Sequence, residues 1–184
     1  MYLCSPNRKQ MYKIEKGTAK DIDELELLYD GLNDYLEATV NYPGWIKGIY
    51  PVRDNAVKGV EEDNLFVLRT GGKIAGSIIL SHEPEKAYDQ VQWGIDTEYT
   101  DILVIHTLVV HPSYMKQGVG SALLRFAEQY GIQQGMKAIR LDVSIHNVPA
   151  IAAYERHGYR YVGSVDLGLN YPHLVWFRLY ERVL

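Results

Sequence analysis

The stretch HTLVVHPSYMKQGVGSALLRF, residues 106–126, decides the fold. Before Pro112, the run from Ile102 to Val110 is β-branched and nearly continuous, the pattern of a buried strand. After Gly120 the apolar residues fall at Val119, Ala122, Leu123, Phe126 and Tyr130, the spacing of one helical face. The reading is therefore strand, glycine-bearing turn, helix. Free N–H groups in such a turn, added to the positive end of the helix, make an anion site.

Composition bounds the rest. A chain of 184 residues with 47% hydrophobic content can bury one substantial core. Residues 1–10 read as an N-terminal arm and 11–184 as a single domain. The formal charge of −4 argues against a nucleic-acid surface. A lone cysteine, Cys4, cannot form an internal disulfide and suits a reducing compartment. With neither a signal-peptide pattern nor a membrane-length apolar run, the expected location is cytoplasmic, without a membrane partner.

Outward from the opening stretch the elements alternate. A short strand near 11–16 precedes a helix that Thr18 caps, with Asp21 three residues on and Ile22, Leu25, Leu28, Leu32 and Leu36 as its buried stripe. An aromatic loop, NYPGWIKGIYP, leads to a short helix over 52–60. Two strands about Gly71-Gly72 read as a hairpin. A long connection over 83–100 reaches the central strand. Beyond the glycine turn come a strand over 137–143, a helix over 148–157, and closing strands near 159–166 and 173–182. This is a mixed α/β chain.

The glycine turn alone leaves its anion open. Leu123 occupies the third glycine position of a dinucleotide fingerprint, and no P-loop Gly-Lys-Ser/Thr occurs. The segment NVPAIAAYERHGYRYVG adds a second constellation: Asn147 ahead of a helix, Pro149 in its first turn, Gly158 at its end. Asn147, Ala150 and Tyr154 lie three and four apart, on one face. Together with VVHPSYMKQGVGSALL this resembles the GNAT superfamily of acyl-CoA-dependent N-acetyltransferases. The resemblance covers roughly 11–184 and is strongest over 102–163.

The resemblance implies a mixed, mostly antiparallel twisted sheet flanked by helices, with acetyl-CoA as co-substrate and no metal. It implies that the turn cradles the coenzyme pyrophosphate through main-chain groups of Met115, Lys116, Gln117, Gly118, Val119, Gly120, Ser121 and Ala122. The strand residues Leu108, Val109 and Val110 would pair with the pantetheine arm, with an N–H near Val109 receiving the developing oxyanion. Asn147, Ala150 and Tyr154 would complete the cofactor side. Met115 stands where the family usually has Arg or Gln.

The implied chemistry needs an acid and a base. Tyr154 occupies the family's general-acid position, and a phenol of pKa about 10 suits a departing thiolate of about 8.5. His106 resembles a histidine of the proton path in arylalkylamine N-acetyltransferases, and imidazole accepts a proton near neutrality; a hydrogen-bonded core histidine is the other reading. Glu98 and Asp101 are alternative bases. Strand parity puts His106 with Leu108 and Val110 on one face unless a bulge resets the register.

The acceptor side is less specified. Tyr42, Trp45 and Tyr50, and Tyr88, Trp93 and Tyr99, supply either pocket walls or ordinary packing, while Tyr171 and Trp176 are candidates for a homodimer contact. Residues 83–101 carry Glu83, Glu85, Asp89, Asp96, Glu98 and Asp101 against Lys86 alone, although the whole chain is only −4. The expected activity is acetyl transfer to a primary amine, a small cationic metabolite, by direct attack in a ternary complex. The other classes are an acyl-CoA-binding sensor without turnover and a phosphate-binding protein that shares only the turn.

Overall fold

The computed structural model describes residues 12–184, so the expected arm over 1–10 and Cys4 lie outside the described residues. Its elements are β1 (Lys13–Lys16), α1 (Ile22–Ala38), α2 (Arg53–Glu61), β2 (Leu65–Thr70), β3 (Lys73–Ser81), β4 (Ile102–Val110), α3 (Val119–Gln133), β5 (Ala138–Ser144), α4 (Val148–Arg156), β6 (Arg160–Asp166) and β7 (Trp176–Val183). A 3-10 turn over Ala19–Asp21 leads into α1, and Asp21 Oδ2 accepts from both the Thr18 N–H (2.8 Å) and its hydroxyl (3.0 Å). Leu25, Leu28, Leu32 and Leu36 are buried as their spacing requires, and Tyr29 and Asn33 join them. No helix among the described residues is long and apolar enough to cross a membrane.

The seven strands form one sheet in the order β1-β2-β3-β4-β5-β7-β6. Every pairing is antiparallel except β4 with β5, which the intervening α3 makes parallel. Helices α3 and α4 cover one face, with Leu103, Ile105, Leu123, Leu124, Ile139, Leu141, Ile151 and Tyr154 in one apolar cluster. Helices α1 and α2 cover part of the other, where Leu25, Tyr29, Leu65, Ile79 and Val109 pack together.

Two irregularities shape the centre of the sheet. The parallel pairing runs from Ile102↔Ala138 to Ile105↔Leu141 and stops, although β4 continues to Val110 and β5 to Ser144. A gap therefore opens between adjacent strands. The second irregularity is a bulge: β4 pairs Val109 with Ser77 and His106 with Ile79, so Thr107 and Leu108 together oppose Ile78. Thr107 carries it with φ 46°, in the left-handed region.

The bulge corrects the simple parity. His106 lies beside Ile79 and Val109 beside Ser77, both on the α1 side, whereas Leu108 and Val110 pack with Leu103 and Ile105 on the α3 side. Leu108 and Val110 thus part from His106 because one extra residue shifts the alternation.

The connection over 83–101 is anchored on the sheet. Buried Arg140 of β5 donates to Glu181 Oε1 (3.0 Å) and to the Ile95 carbonyl (2.6 Å), with its guanidinium 4.3 Å from the Trp93 ring centroid and 5.0 Å from that of Tyr99. Glu181 in turn accepts from the Gly94 N–H at 2.9 Å. The aromatic residues Trp93 and Tyr99 belong to this anchor.

Candidate active site

The turn between β4 and α3 is open at its main chain. Lys116 (φ 60°) and Gly118 (φ 87°) both adopt left-handed backbone, which rotates successive N–H groups to one side. From Lys116 through Ser121 those groups have no main-chain partner among the described residues. Met115 N–H is bonded to the Pro112 carbonyl (3.3 Å) and Ala122 N–H to that of Gly118 (2.9 Å), so these two residues stand outside the free set. A run of N–H donors at the positive end of a long helix suits an anion such as a phosphate. The Gln117 amide is turned back onto the Ser113 carbonyl (2.8 Å), and the Met115 side chain packs beside Trp45 in the α1 cluster. That apolar seat accounts physically for Met at a position where a polar side chain is usual.

The strand edge leading to the turn is available as well. His111 N–H bonds the Ala75 carbonyl at 2.9 Å. By antiparallel alternation, the Val109 N–H then points to β3 and the Val110 N–H points into the gap. On the opposite wall Asn147 caps α4, its Oδ1 accepting from Ala150 N–H (3.4 Å). Asn147, Ala150 and Tyr154 line one cleft, as their spacing on the helix requires.

That cleft has a volume of about 750 Å³ and passes through the sheet at the gap. Its lining joins Ile105, Leu108 and Tyr154 from the α3 side to Ile79, His106 and Asp142 from the α1 side. The Tyr154 side chain is buried, and its hydroxyl has no hydrogen-bond partner among the described residues. Burial first, then the negative charge of Asp142, then Tyr50 push this phenol well above the ordinary tyrosine value. It therefore stays protonated throughout the neutral range. His106 Nε2 is 3.0 Å from the Glu83 carbonyl oxygen. A carbonyl only accepts, so Nε2 carries the hydrogen and Nδ1 is the basic nitrogen.

Several cleft residues escaped the sequence reading. The Tyr50 hydroxyl meets Thr107 Oγ1 at 2.6 Å, directly at the bulge, and burial pushes the Tyr50 phenol up to about 12. Asp142 on β5 accepts from the Tyr88 hydroxyl at 2.8 Å. Ser144, Glu62 and Lys58 also line the cleft. The alternation of β5 carried a signal for Asp142, since an acidic residue inside an apolar strand demands a reason.

Other expectations move. Glu98 and Asp101, the alternative bases, lie before the first residue of β4 and do not line the cleft; Asp101 pairs with Lys137 Nζ at 2.6 Å. Of the acidic segment only Glu83 and Glu85 reach the cleft, while Asp89 and Asp96 line a separate cavity beside Trp93 and Arg140. Trp45, Tyr50 and Tyr171 line the cleft, but Tyr42 does not.

Comparison with known proteins agrees with this fold. The sequence profile described as Acetyltransferase (GNAT) family matches residues 26–159. A Methanocaldococcus jannaschii protein named an uncharacterized N-acetyltransferase is 27% identical over 181 residues, 96% of this chain and 70% of its own. An acetyltransferase of the GNAT family from Streptococcus agalactiae superposes with a TM-score of 0.72 at 19% identity, covering 94% of this chain and 95% of that one. The protein yncA from Salmonella typhimurium, solved with its cofactor acetyl-CoA, superposes at 0.68 with 14% identity, covering 94% of each chain. The profile spans well over half of the sequence, and the chain belongs to the GNAT family of acetyltransferases.

Proposed function

We propose that the protein transfers the acetyl group of acetyl-CoA to a primary amine by direct attack, with both substrates in one cleft. The observation that carries this reading is the gap between β4 and β5. It opens beside Leu108, on the strand that leads to the turn with free N–H groups, and continues into a carboxylate-lined chamber, with the Tyr154 hydroxyl in its lining. Acetyl-CoA supplies an activated thioester; everything else is done by side chains and main chain.

The N–H groups from Lys116 to Ser121 hold the diphosphate, and the exposed edge of Leu108 and Val110 orients the pantetheine arm. The Val110 N–H, which the alternation turns into the gap, meets the charge developing on the carbonyl oxygen. Tyr154 gives its proton to the departing sulfur. His106, on the acceptor side, accepts the proton that the amine must lose. Among the described residues no thiol lines the cleft, in keeping with direct attack rather than an acyl-enzyme.

Among the described residues, the charged ones lining the cleft are Glu62, Glu83, Glu85 and Asp142 against Lys58, which favours a cationic acceptor. The chamber's size suits a small metabolite, and the lone cysteine suits a reducing cytoplasm. Trp176, half exposed at the start of β7, is the residue we assign to a homodimer contact. A screen of primary amines with acetyl-CoA, reading free thiol, tests the activity: amine-dependent release supports it. Tight acetyl-CoA binding with no release across the panel would instead make the protein a non-catalytic acyl-CoA sensor.

A further inference from the structure

Asp142 lines the cleft without a task in the scheme above. It stands one residue past the last β4–β5 rung, Ile105↔Leu141, and His106 stands one past it on the other strand. Val104 pairs with Arg140, so His106 and Asp142, each two residues on, share that face and flank the mouth of the gap. Asp142 is half-buried, and its exposure is to the cleft.

Its environment is unusual for a carboxylate. Oδ2 is held by the Tyr88 hydroxyl at 2.8 Å, and Tyr88 is fully buried with its ring centroid 5.3 Å from that of Trp93. A phenol fixes the direction of a carboxylate without cancelling its charge. No Lys or Arg among the described residues forms an ion pair with Asp142; Arg140, on the same face of β5, is committed to Glu181. Oδ1 accepts no side-chain hydrogen bond among the described residues. An enclosed carboxylate lacking a cation is costly, and a cation brought by the substrate would complete it.

We propose that Asp142 is the anchor for the acceptor: Oδ1 binds the ammonium of the incoming primary amine, and the carboxylate takes its first proton and passes it through His106 to solvent. This rests on the acetyltransferase reading. The freed nitrogen lone pair forms the N–C bond as the C–S bond breaks with its electron pair on sulfur. Sulfur takes the Tyr154 proton, and the second nitrogen proton restores Tyr154. The sum is one amide, one thiol and one proton released.

The surroundings suit proton acceptance. Burial raises the Asp142 carboxyl, while the Tyr88 hydrogen bond and the nearby His106 pull it down and Glu85 pushes it up. Tyr50 and Tyr154 face it from the other walls. Only the ionised form binds an ammonium, so activity fades as pH falls through a carboxylate value that burial has raised.

The test compares wild type with Asp142→Asn, Asp142→Glu and Tyr88→Phe. Binding of methylamine through hexylamine and benzylamine to coenzyme A-loaded protein is read by calorimetry, and thiol release over pH 5–9 is read for the best amine. Asp142→Asn keeps the Tyr88 bond through its amide oxygen, so it should fold and bind coenzyme A unchanged. It should lose at least about 10-fold in amine affinity and about 100-fold in kcat/KM, and it should lose the acid limb. Asp142→Glu should recover part of the activity. Tyr88→Phe, lacking the bond that lowers the carboxyl, should move the acid limb to higher pH. Equal amine affinity in wild type and Asp142→Asn, or no amine binding by wild type, overturns the anchor. Charge-dependent amine binding without thiol release would leave the anchor standing and remove the acetyltransferase reading.

Discussion

The two halves of the proposed site are made of different material. The half we assign to the coenzyme is main chain: a strand edge at Leu108 to Val110 and the N–H groups from Lys116 to Ser121, which have no main-chain partner among the described residues. The acceptor half is side chain, drawn from distant segments that include Trp45, Tyr50, Glu62, Glu83, His106, Asp142 and Tyr171. A backbone site tolerates most substitutions except those that alter its conformation or fill its space. A side-chain site changes with every replacement. The first half can therefore persist while the second is rebuilt for a new acceptor.

Tyr154 belongs to neither half, and its removal gives the largest expected effect. Tyr154→Phe keeps the ring packed 5.8 Å from Tyr159 and removes the proton. Thiol release should fall by about 100-fold or more, the scale of general-acid catalysis. Coenzyme A affinity, measured by calorimetry, should stay within about 2-fold, since binding is assigned to main chain. The wild-type rate should hold into alkaline solution, because burial and Asp142 raise the phenol and the acid form is lost only above the ordinary tyrosine range. A large loss of coenzyme A affinity instead would place Tyr154 in the cofactor half.

Next in size is a test of the backbone half. A Cβ at Gly120 would meet only Val110 Cγ2, at 3.7 Å, which is ordinary contact, and Gly120 does not need the left-handed backbone that Gly118 adopts. The fold should therefore accept a side chain there, and the crowding should fall on the bound diphosphate. Gly120→Val should weaken coenzyme A binding at least ~10-fold, about 1.4 kcal/mol, with its thermal unfolding little changed. Unchanged affinity in a folded variant would take the diphosphate away from this turn.

That contrast also explains what the sequence made legible. Glycines, a proline and an apolar period are local signals, so the strand, turn and helix over 102–133 could be read directly, and Asn147 to Tyr154 followed from helical spacing. The free donors could be narrowed only with coordinates, because the bonds of Met115 and Ala122 to their own neighbours depend on turn geometry. The acceptor half left no local pattern. Glu98 and Asp101 stand at the entrance of the central strand, but the gap opens at its far end, beyond Ile105. Asp142 within RLDVS stands out as an acidic residue in an apolar strand, but nothing local reports its partner, because Tyr88 reaches it from 54 residues away in the chain. The bulge at Thr107 is equally silent: a β-branched residue gives no warning of a φ of 46°.

His106 gives a smaller, pH-dependent effect on the acceptor half. Its Nε2 faces the Glu83 carbonyl, which leaves Nδ1 as the nitrogen to take a proton. Without it the proton must leave to solvent hydroxide, which becomes tenfold scarcer with each pH unit lost. His106→Ala should thus cost a few-fold at pH 8 and approach ~10-fold near pH 6. Coenzyme A affinity should not follow. A parallel, unshifted pH–rate profile would return His106 to a structural role beside Ile79.

The smallest expected effect is long-range and sharpens the contrast from outside the cleft. The acidic connection over 83–101 does not act as a block, because Asp89 and Asp96 face another cavity and Asp101 is paired with Lys137. What remains at the acceptor side is Glu62, Glu83, Glu85 and Asp142, only partly offset by Lys58, which reaches Glu62 at 3.4 Å and Glu83 at 3.7 Å. Exposed pairs of this kind are weak and screened, so the field at the entrance stays negative. Amines bearing a second positive charge should outperform monoamines of similar size by a few-fold in kcat/KM. The advantage should shrink as salt rises, because the Debye length falls from about 10 Å at 0.1 M to about 3 Å at 1 M. Glu83→Gln combined with Glu85→Gln should remove most of the salt-sensitive part while leaving monoamine turnover and coenzyme A affinity in place. A preference for dications that ignores both salt and these substitutions would locate the discrimination in direct contacts within the chamber. A preference for neutral or anionic acceptors would mean that the carboxylates do not steer the substrate at all.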